Sequence, residues 1–261
     1  MSAQVRTSLA CWPGLSHLAA TQVATRGVRE TTLGPLLTDH IQLVPQSSDV
    51  LDEGLAEVLA RSWPGTKFRL HANVRVLPRR RLADLCTFAR DRDWFEAAAR
   101  IHRVIGACAY SAHAGLRRDA NLAEMLNYTR RCSELFECPV AVEGQYPVAG
   151  DDPHRFLIST WFEYRALFDS GVPYALDLSH LNILAHRSGY RDDTLVAEML
   201  ASPACLEVHI SDNDGRADTH HVLDREPWWW PLLRHIHPGA VVFSEGNHCR
   251  HITERNHHES S

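Results

Sequence analysis

Nine residues of metal-binding type recur along this chain, most of them closing a short apolar run: His71, His113, Glu143, Asp177, His180, His209, Asp218, His220 and Glu245. The runs read FRLH, YSAH, VAVE, YALD, LEVH and VVFSE. Imidazole and carboxylate together suit zinc, iron or manganese, whereas calcium takes oxygen alone. Five histidines and four carboxylates exceed what one ion takes in an open catalytic site, about three or four protein ligands. With a bridging carboxylate they serve two or three ions. His71, His113 and Glu143 form one set; Glu143, Asp177, His209 and Glu245 a second; His180, Asp218 and His220 a third. Four carboxylates gathered in one place repel each other unless cations lie between them.

Local spacing agrees with that division. Asp177 and His180 stand three apart in DLSH, just past a strand-like run. Asp218 and His220 stand two apart in DTHH, so an extended loop projects both side chains the same way. The stretch HISDNDGRADTHH reads as a loop, with Asn213, Asp214 and Gly215 as its turn signal. His186, His221 and His248 lie near these positions and are candidate catalytic residues, as acid–base groups or as groups orienting the ligands. His17, His40, His102, His154, His235 and His237 read as structural histidines on helices or loops.

Donors so far apart meet only if the elements carrying them converge. Eight β-like runs can be counted, at 5–10, 40–44, 68–74, 106–113, 139–144, 173–178, 205–211 and 240–245. Between them, apolar residues recur at helical spacing: Leu55, Val58 and Leu59; Leu82, Leu85, Phe88 and Ala89; then Leu122, Met125, Leu126, Thr129, Cys132 and Phe136. Arg79, Arg80 and Arg81 after Pro78 read as the start of a solvated helix. Asp151, Asp152 and Pro153 read as the capped start of another, which Gly171 and Pro173 stop. Trp228, Trp229 and Trp230 are expected to pack the seventh helix against the strands. This alternation over 261 residues predicts the α/β class: a single (β/α)8 TIM barrel over residues 1–250, with the metal site at the C-terminal ends of its strands. Residues 251–261 are expected to form a polar, flexible tail in which His257 and His258 are solvated.

A chain that is 44% hydrophobic can bury a substantial core. No apolar run reaches the roughly 18 residues of a membrane span, and MSAQVRTSLACWPG lacks a signal peptide's apolar stretch. A soluble, cytoplasmic protein with no membrane partner is expected. The net charge of −5 counts against nucleic acid as a partner, because binders of phosphate backbone carry basic surfaces. The seven cysteines are odd in number and form no CxxC pair, so they read as reduced and mostly buried; Cys11 and Cys249 lie near strand ends, within reach of a site.

Taken in order, the motifs LHA, AHAG, VEG, LDLSH, VHISD, DTH and SEG resemble the xylose-isomerase-like TIM-barrel superfamily, over nearly the whole chain. Endonuclease IV, sugar isomerases and epimerases, and multinuclear non-heme iron oxidative enzymes belong to it. The set is similar to endonuclease IV in filling every position of its trinuclear zinc site. DTHHVLDREPWWWPLL and LDLSHLNILAHRSGY look nearest to the iron oxidative branch, the methanobactin-biosynthesis type. Two departures stand out: Gly144 follows Glu143 where that branch has Asn, and His180 stands where it has Asn. That resemblance implies two or three irons, Fe(II)/Fe(III), and oxidation with dioxygen of a ribosomally made peptide, for example at cysteine, with a partner protein presenting the peptide. The alternatives are an endonuclease IV-like zinc phosphoesterase and a sugar isomerase or epimerase using a single manganese or magnesium ion.

Overall fold

The computed structural model describes residues 4–46, 49–150 and 152–249. The expected tail, with His257 and His258, lies outside the described residues, as does Asp151. In chain order the strands and helices are β1 (Val5–Ser8), α1 (His17–Thr25), β2 (Val28–Glu30), β3 (Gly34–Leu43), α2 (Glu53–Ser62), β4 (Lys67–Leu70), α3 (Arg92–Val104), β5 (Tyr110–His113), α4 (Leu122–Phe136), β6 (Val140–Glu143), α5 (Trp161–Asp169), β7 (Tyr174–Asp177), α6 (Leu178–Ser188), α7 (Asp193–Ala201), β8 (Cys205–Ile210) and β9 (Val241–Ser244). Among the described residues, no helix is long and apolar enough to cross a membrane.

Eight strands run parallel. β1 lies between β3 and β9; β3 carries β4 on its other side, and from β9 the order continues β8, β7, β6, β5. Among the described residues, one parallel bridge, His71 to Ser111, links the chain just past β4 to β5, the two ends of the sheet. β2 adds an antiparallel arm on the start of β3.

The helices form where the sequence offers a cap and an apolar stripe. In α4, Asn121 and Glu124 make a reciprocal capping box, Met125, Thr129, Cys132 and Phe136 are buried, and Glu137 ends the helix in the left-handed region. At α6 the cap is Asp177 itself, whose Oδ1 accepts from the backbone N–H groups of Ser179 (2.7 Å) and His180 (3.0 Å).

Several expectations are corrected. The stripe from Leu82 to Ala89 is a loop with one short 3-10 turn, Leu85–Thr87, and Arg79 to Arg81 lie in an exposed loop. The stripe's buried members, Leu85 and Phe88, pack into the core without a helix. Asp152 caps no helix; Thr160 caps α5. No α-helix separates β8 from β9. The tryptophans instead lead into a 3-10 turn, Trp230–His235, and Trp229 is buried. The second strand is longer than expected, because Pro35 sits at its β2-facing start and leaves Leu36–Leu43 free to pair. His40 is buried on that strand, edge-on to Phe243 at 5.5 Å, rather than on a loop.

Inside the ring a polar layer lies one step below the strand ends. Side chains two apart in a strand share a face, so Arg69, Ser111 and Glu207 sit beneath His71, His113 and His209. Arg69 Nη1 reaches Glu207 Oε1 at 3.0 Å, while Ser111 Oγ (2.9 Å) and Gln42 Nε2 (3.2 Å) donate to Glu207 Oε2. Burial alone would raise the Glu207 carboxyl, but Arg69 first, then His209, hold it at about 2. Its folded value is below the ordinary 4.5 of a glutamate, so the stabilisation is full above that value and fades as pH falls towards 2. Arg69→Met strands a buried carboxylate and is expected to destabilise the protein by about 3–5 kcal/mol at neutral pH. Urea melts check this: the gap from wild type should narrow below pH 4.5, and a gap independent of pH would contradict the pairing.

Candidate metal centre

All nine donors meet at one mouth. On one side His71 Nε2 lies 3.0 Å and His113 Nε2 3.7 Å from Glu143 Oε2. At the centre, His209 Nδ1 lies 3.6 Å from Glu143 Oε1 and 3.9 Å from Glu245 Oε1. On the far side His180 Nε2 faces Asp177 Oδ2 at 3.5 Å and Asp218 Oδ2 at 3.4 Å, and His220 Nε2 lies 3.0 Å from the same Asp218 oxygen. Ligand-type atoms converge in the sets His71–His113–Glu143, Glu143–Asp177–His180 and Asp177–His209–Glu245. The division read from the sequence is thus regrouped: His180 meets Glu143 and Asp177 as well as Asp218, which links the second and third sets.

Four of the imidazoles, all but His220, share one arrangement. Ser111 gives its own proton to Glu207, so its oxygen accepts from His71 Nδ1 at 2.9 Å. His180 Nδ1 donates to the Gly144 carbonyl at 2.9 Å, and His209 Nε2 donates to Glu207 at 3.1 Å. His113 Nδ1 faces Asp84 at 3.5 Å. In each ring one nitrogen is anchored away from the centre and the other is turned towards carboxylates, the orientation that ligating histidines take from their outer partners. Glu143 Oε2, His209 Nδ1, Asp218 Oδ1, His220 Nδ1 and Glu245 Oε1 are buried without any hydrogen-bond partner. Native interiors rarely leave such atoms unpaired, and cations bound among them would satisfy them. The donor set therefore fits divalent metal.

Two glycines set the approach of the carboxylates. A Cβ on Gly144 would lie 2.5 Å from the Tyr164 ring, whose hydroxyl donates to Gln145 O at 3.0 Å. Asn cannot stand there without expelling Tyr164, which accounts for the Glu143–Gly144 pair. A Cβ on Gly246 would lie 2.9 Å from backbone at Val222.

A cavity of about 420 Å³ opens on the mouth, with Arg80, Leu82 and Asn73 at its edge. His186 and His221 do not face it. His186 is exposed late on α6 and lines a separate depression with Trp161, and His221 pairs by backbone with Asp212 beside another. Helix α6 leaves the mouth at Asp177, so its last turn is carried away from it. His248 turns instead to Glu30, at 3.1 Å. None of the seven cysteines forms a disulfide, and Cys249 is exposed. The reading from strand ends missed Asp84, Gln42, Arg69, Ser111 and Glu207, although polar residues two before His71, His113 and His209 were a legible signal.

No protein-family model matches the chain, and no curated protein does. Solved structures do. A D-tagatose 3-epimerase-like protein superposes with a TM-score of 0.63 at 13% identity, covering 100% of this chain and 96% of the other. An AP endonuclease of family 2 from Brucella melitensis gives 0.64 at 15%, covering 95% and 93%. A xylose isomerase domain protein from Alicyclobacillus acidocaldarius gives 0.56 at 14%, covering 95% and 90%. The chain shares the parallel α/β barrel fold of these xylose-isomerase-like structures.

Burial opposes the protons of His113, His180, His209 and His220, but the surrounding carboxylates outweigh it. All four are raised, His220 to about 9 through Asp218. At neutral pH His220 therefore holds a proton that a metal must displace. Titration calorimetry with zinc in buffers of different ionisation enthalpy should show net proton release, with apparent affinity rising with pH. Heats independent of the buffer would contradict this.

Proposed function

We propose that this chain is a divalent-metal-dependent enzyme holding more than one ion at the barrel mouth, and that it hydrolyses phosphate esters. The observation that carries the reading is the surplus of donors. Glu143, Asp177, His209 and Glu245 would suffice for one ion, yet His71 and His113 also converge on Glu143, and His180 and His220 on Asp218. The AP endonuclease neighbour supports the same class. When bound, such ions acidify water and neutralise charge on an attacking or leaving oxygen. In this chain Glu143 offers one oxygen to His71 and His113 and the other to His209, and would hold ions on the two sides. Asp218 presents a single oxygen, Oδ2, to both His180 and His220. Arg80 at the cavity edge is placed to pair with an anionic phosphoryl group.

A single-ion sugar epimerase is the second reading, supported by the epimerase neighbours and by the central group Asp177, His209 and Glu245. There Glu143 and Glu245 would move the proton. Iron, dioxygen, a cysteine-bearing peptide and a presenting partner protein, implied by the motif resemblance, find no support among these neighbours.

The test is one metal-loaded preparation assayed on bis-(p-nitrophenyl) phosphate, an abasic oligonucleotide and ketoses in deuterated water. Phosphodiester cleavage is expected, dependent on zinc or manganese and abolished in Glu143→Gln and in Asp218→Asn. Deuterium uptake into a ketose, with no ester cleaved and with Asp218→Asn fully active, would overturn the reading in favour of the epimerase.

A further inference from the structure

Behind the end of β9 a second group of donors meets, outside the mouth. His209 and Phe243 are register partners on neighbouring strands and share a face. Ser244, next in β9, therefore turns to the opposite face, away from His209. There its hydroxyl donates to Glu30 Oε1 at 2.6 Å, and the same oxygen lies 3.1 Å from His248 Nε2. The Cys11 thiol reaches the Ser244 carbonyl at 3.4 Å. One ligand atom from each of Cys11, Glu30 and His248 lies within 4.8 Å of the other two.

We propose that Cys11, Glu30 and His248 form a second metal site, structural in role, for a zinc-type ion. Glu30 is buried, and its Oε2 has no hydrogen-bond partner. No lysine or arginine pairs with it; His248 is its one ion-pair partner among the described residues. A buried carboxylate beside a buried thiol is an arrangement that a cation stabilises and that neither group stabilises for the other. Thiolate with imidazole and carboxylate selects zinc and its borderline neighbours over calcium or magnesium. Trp12 stacks on the His248 ring at 5.6 Å and fixes its plane. As the ion binds, the sulfur–metal bond forms and the thiol proton leaves to solvent. The bound ion ties three segments together: the end of β1, the β2 arm and the turn after β9. Glu245 lies on that turn, one residue past Ser244, so the outer ion holds in place a donor of the inner centre.

Cobalt(II) separates the two sites in the full chain. The mouth offers only nitrogen and oxygen, so a thiolate-to-cobalt charge-transfer band in the near ultraviolet reports Cys11. Cobalt-loaded wild type should show the band. Cys11→Ser and His248→Ala should lose it together with one equivalent of metal, while Glu143→Gln should keep it. A wild type without the band at saturating cobalt would overturn the proposal. So would a band and metal content unchanged in His248→Ala, a variant that decides the matter even if Cys11→Ser does not fold. Retention of the band in Glu143→Gln, with metal lost only from the mouth, keeps the fate of this site distinct from that of the catalytic one.

Discussion

Four carboxylates, Glu143, Asp177, Asp218 and Glu245, converge on a single barrel mouth, and the first, second and last are all but excluded from water. In so poorly solvated a place their mutual repulsion is strong. It is relieved only by positive charge, whether protons on the neighbouring imidazoles or divalent ions. The raised imidazoles and the Glu143 carboxyl, which burial would lift but which His71, His113 and His209 hold well below the usual range, are two faces of this balance. A fold that gathers these groups is committed to a cation at the same place.

The layer beneath makes the commitment geometric. Glu207 is held by Arg69 and in turn holds His209 directly and His71 through Ser111. One buried carboxylate thus sets which nitrogen two separate rings present to the mouth, a tie between ligands and outer partners that tunes metal sites generally. On the other side Gly144 supplies the carbonyl that anchors His180, and its missing Cβ makes room for Tyr164. The rigid parts of the barrel, not its loops, carry most of this arrangement. Asp218 and His220 are the exceptions: both sit on the loop after β8, and the His220 backbone lies in the left-handed region at φ 49°.

Much of this could be read from residue order. An apolar run ending in a donor marks both a buried parallel strand and its C-terminal end, so strand count, barrel class and mouth residues came from one pattern. What escaped did so for physical reasons. Leu82 to Phe88 has helical spacing but lacks a cap that bonds, and the chain there serves instead to bring Asp84 against His113. The tryptophan run buries Trp229 from a short 3-10 turn, where hydrophobicity gives no sign of helix type. Nothing in residue order singled out Glu30, because its partners Ser244 and His248 lie more than two hundred residues away. His186 and His221 were judged by nearness in sequence to the donors, and a helix and a turn carry them elsewhere.

The enzymatic reading stands or falls on how many ions the mouth holds, since the same residues around one ion serve sugar chemistry and around several serve phosphate chemistry. Anomalous diffraction from crystals grown with zinc or manganese counts them directly. The account predicts at least two peaks in the mouth, one contacted by His71, His113 and Glu143 and another by Asp218 with His180 or His220. A single peak held by Glu143, Asp177, His209 and Glu245 alone, with the other imidazoles bound to protein or water, would contradict it.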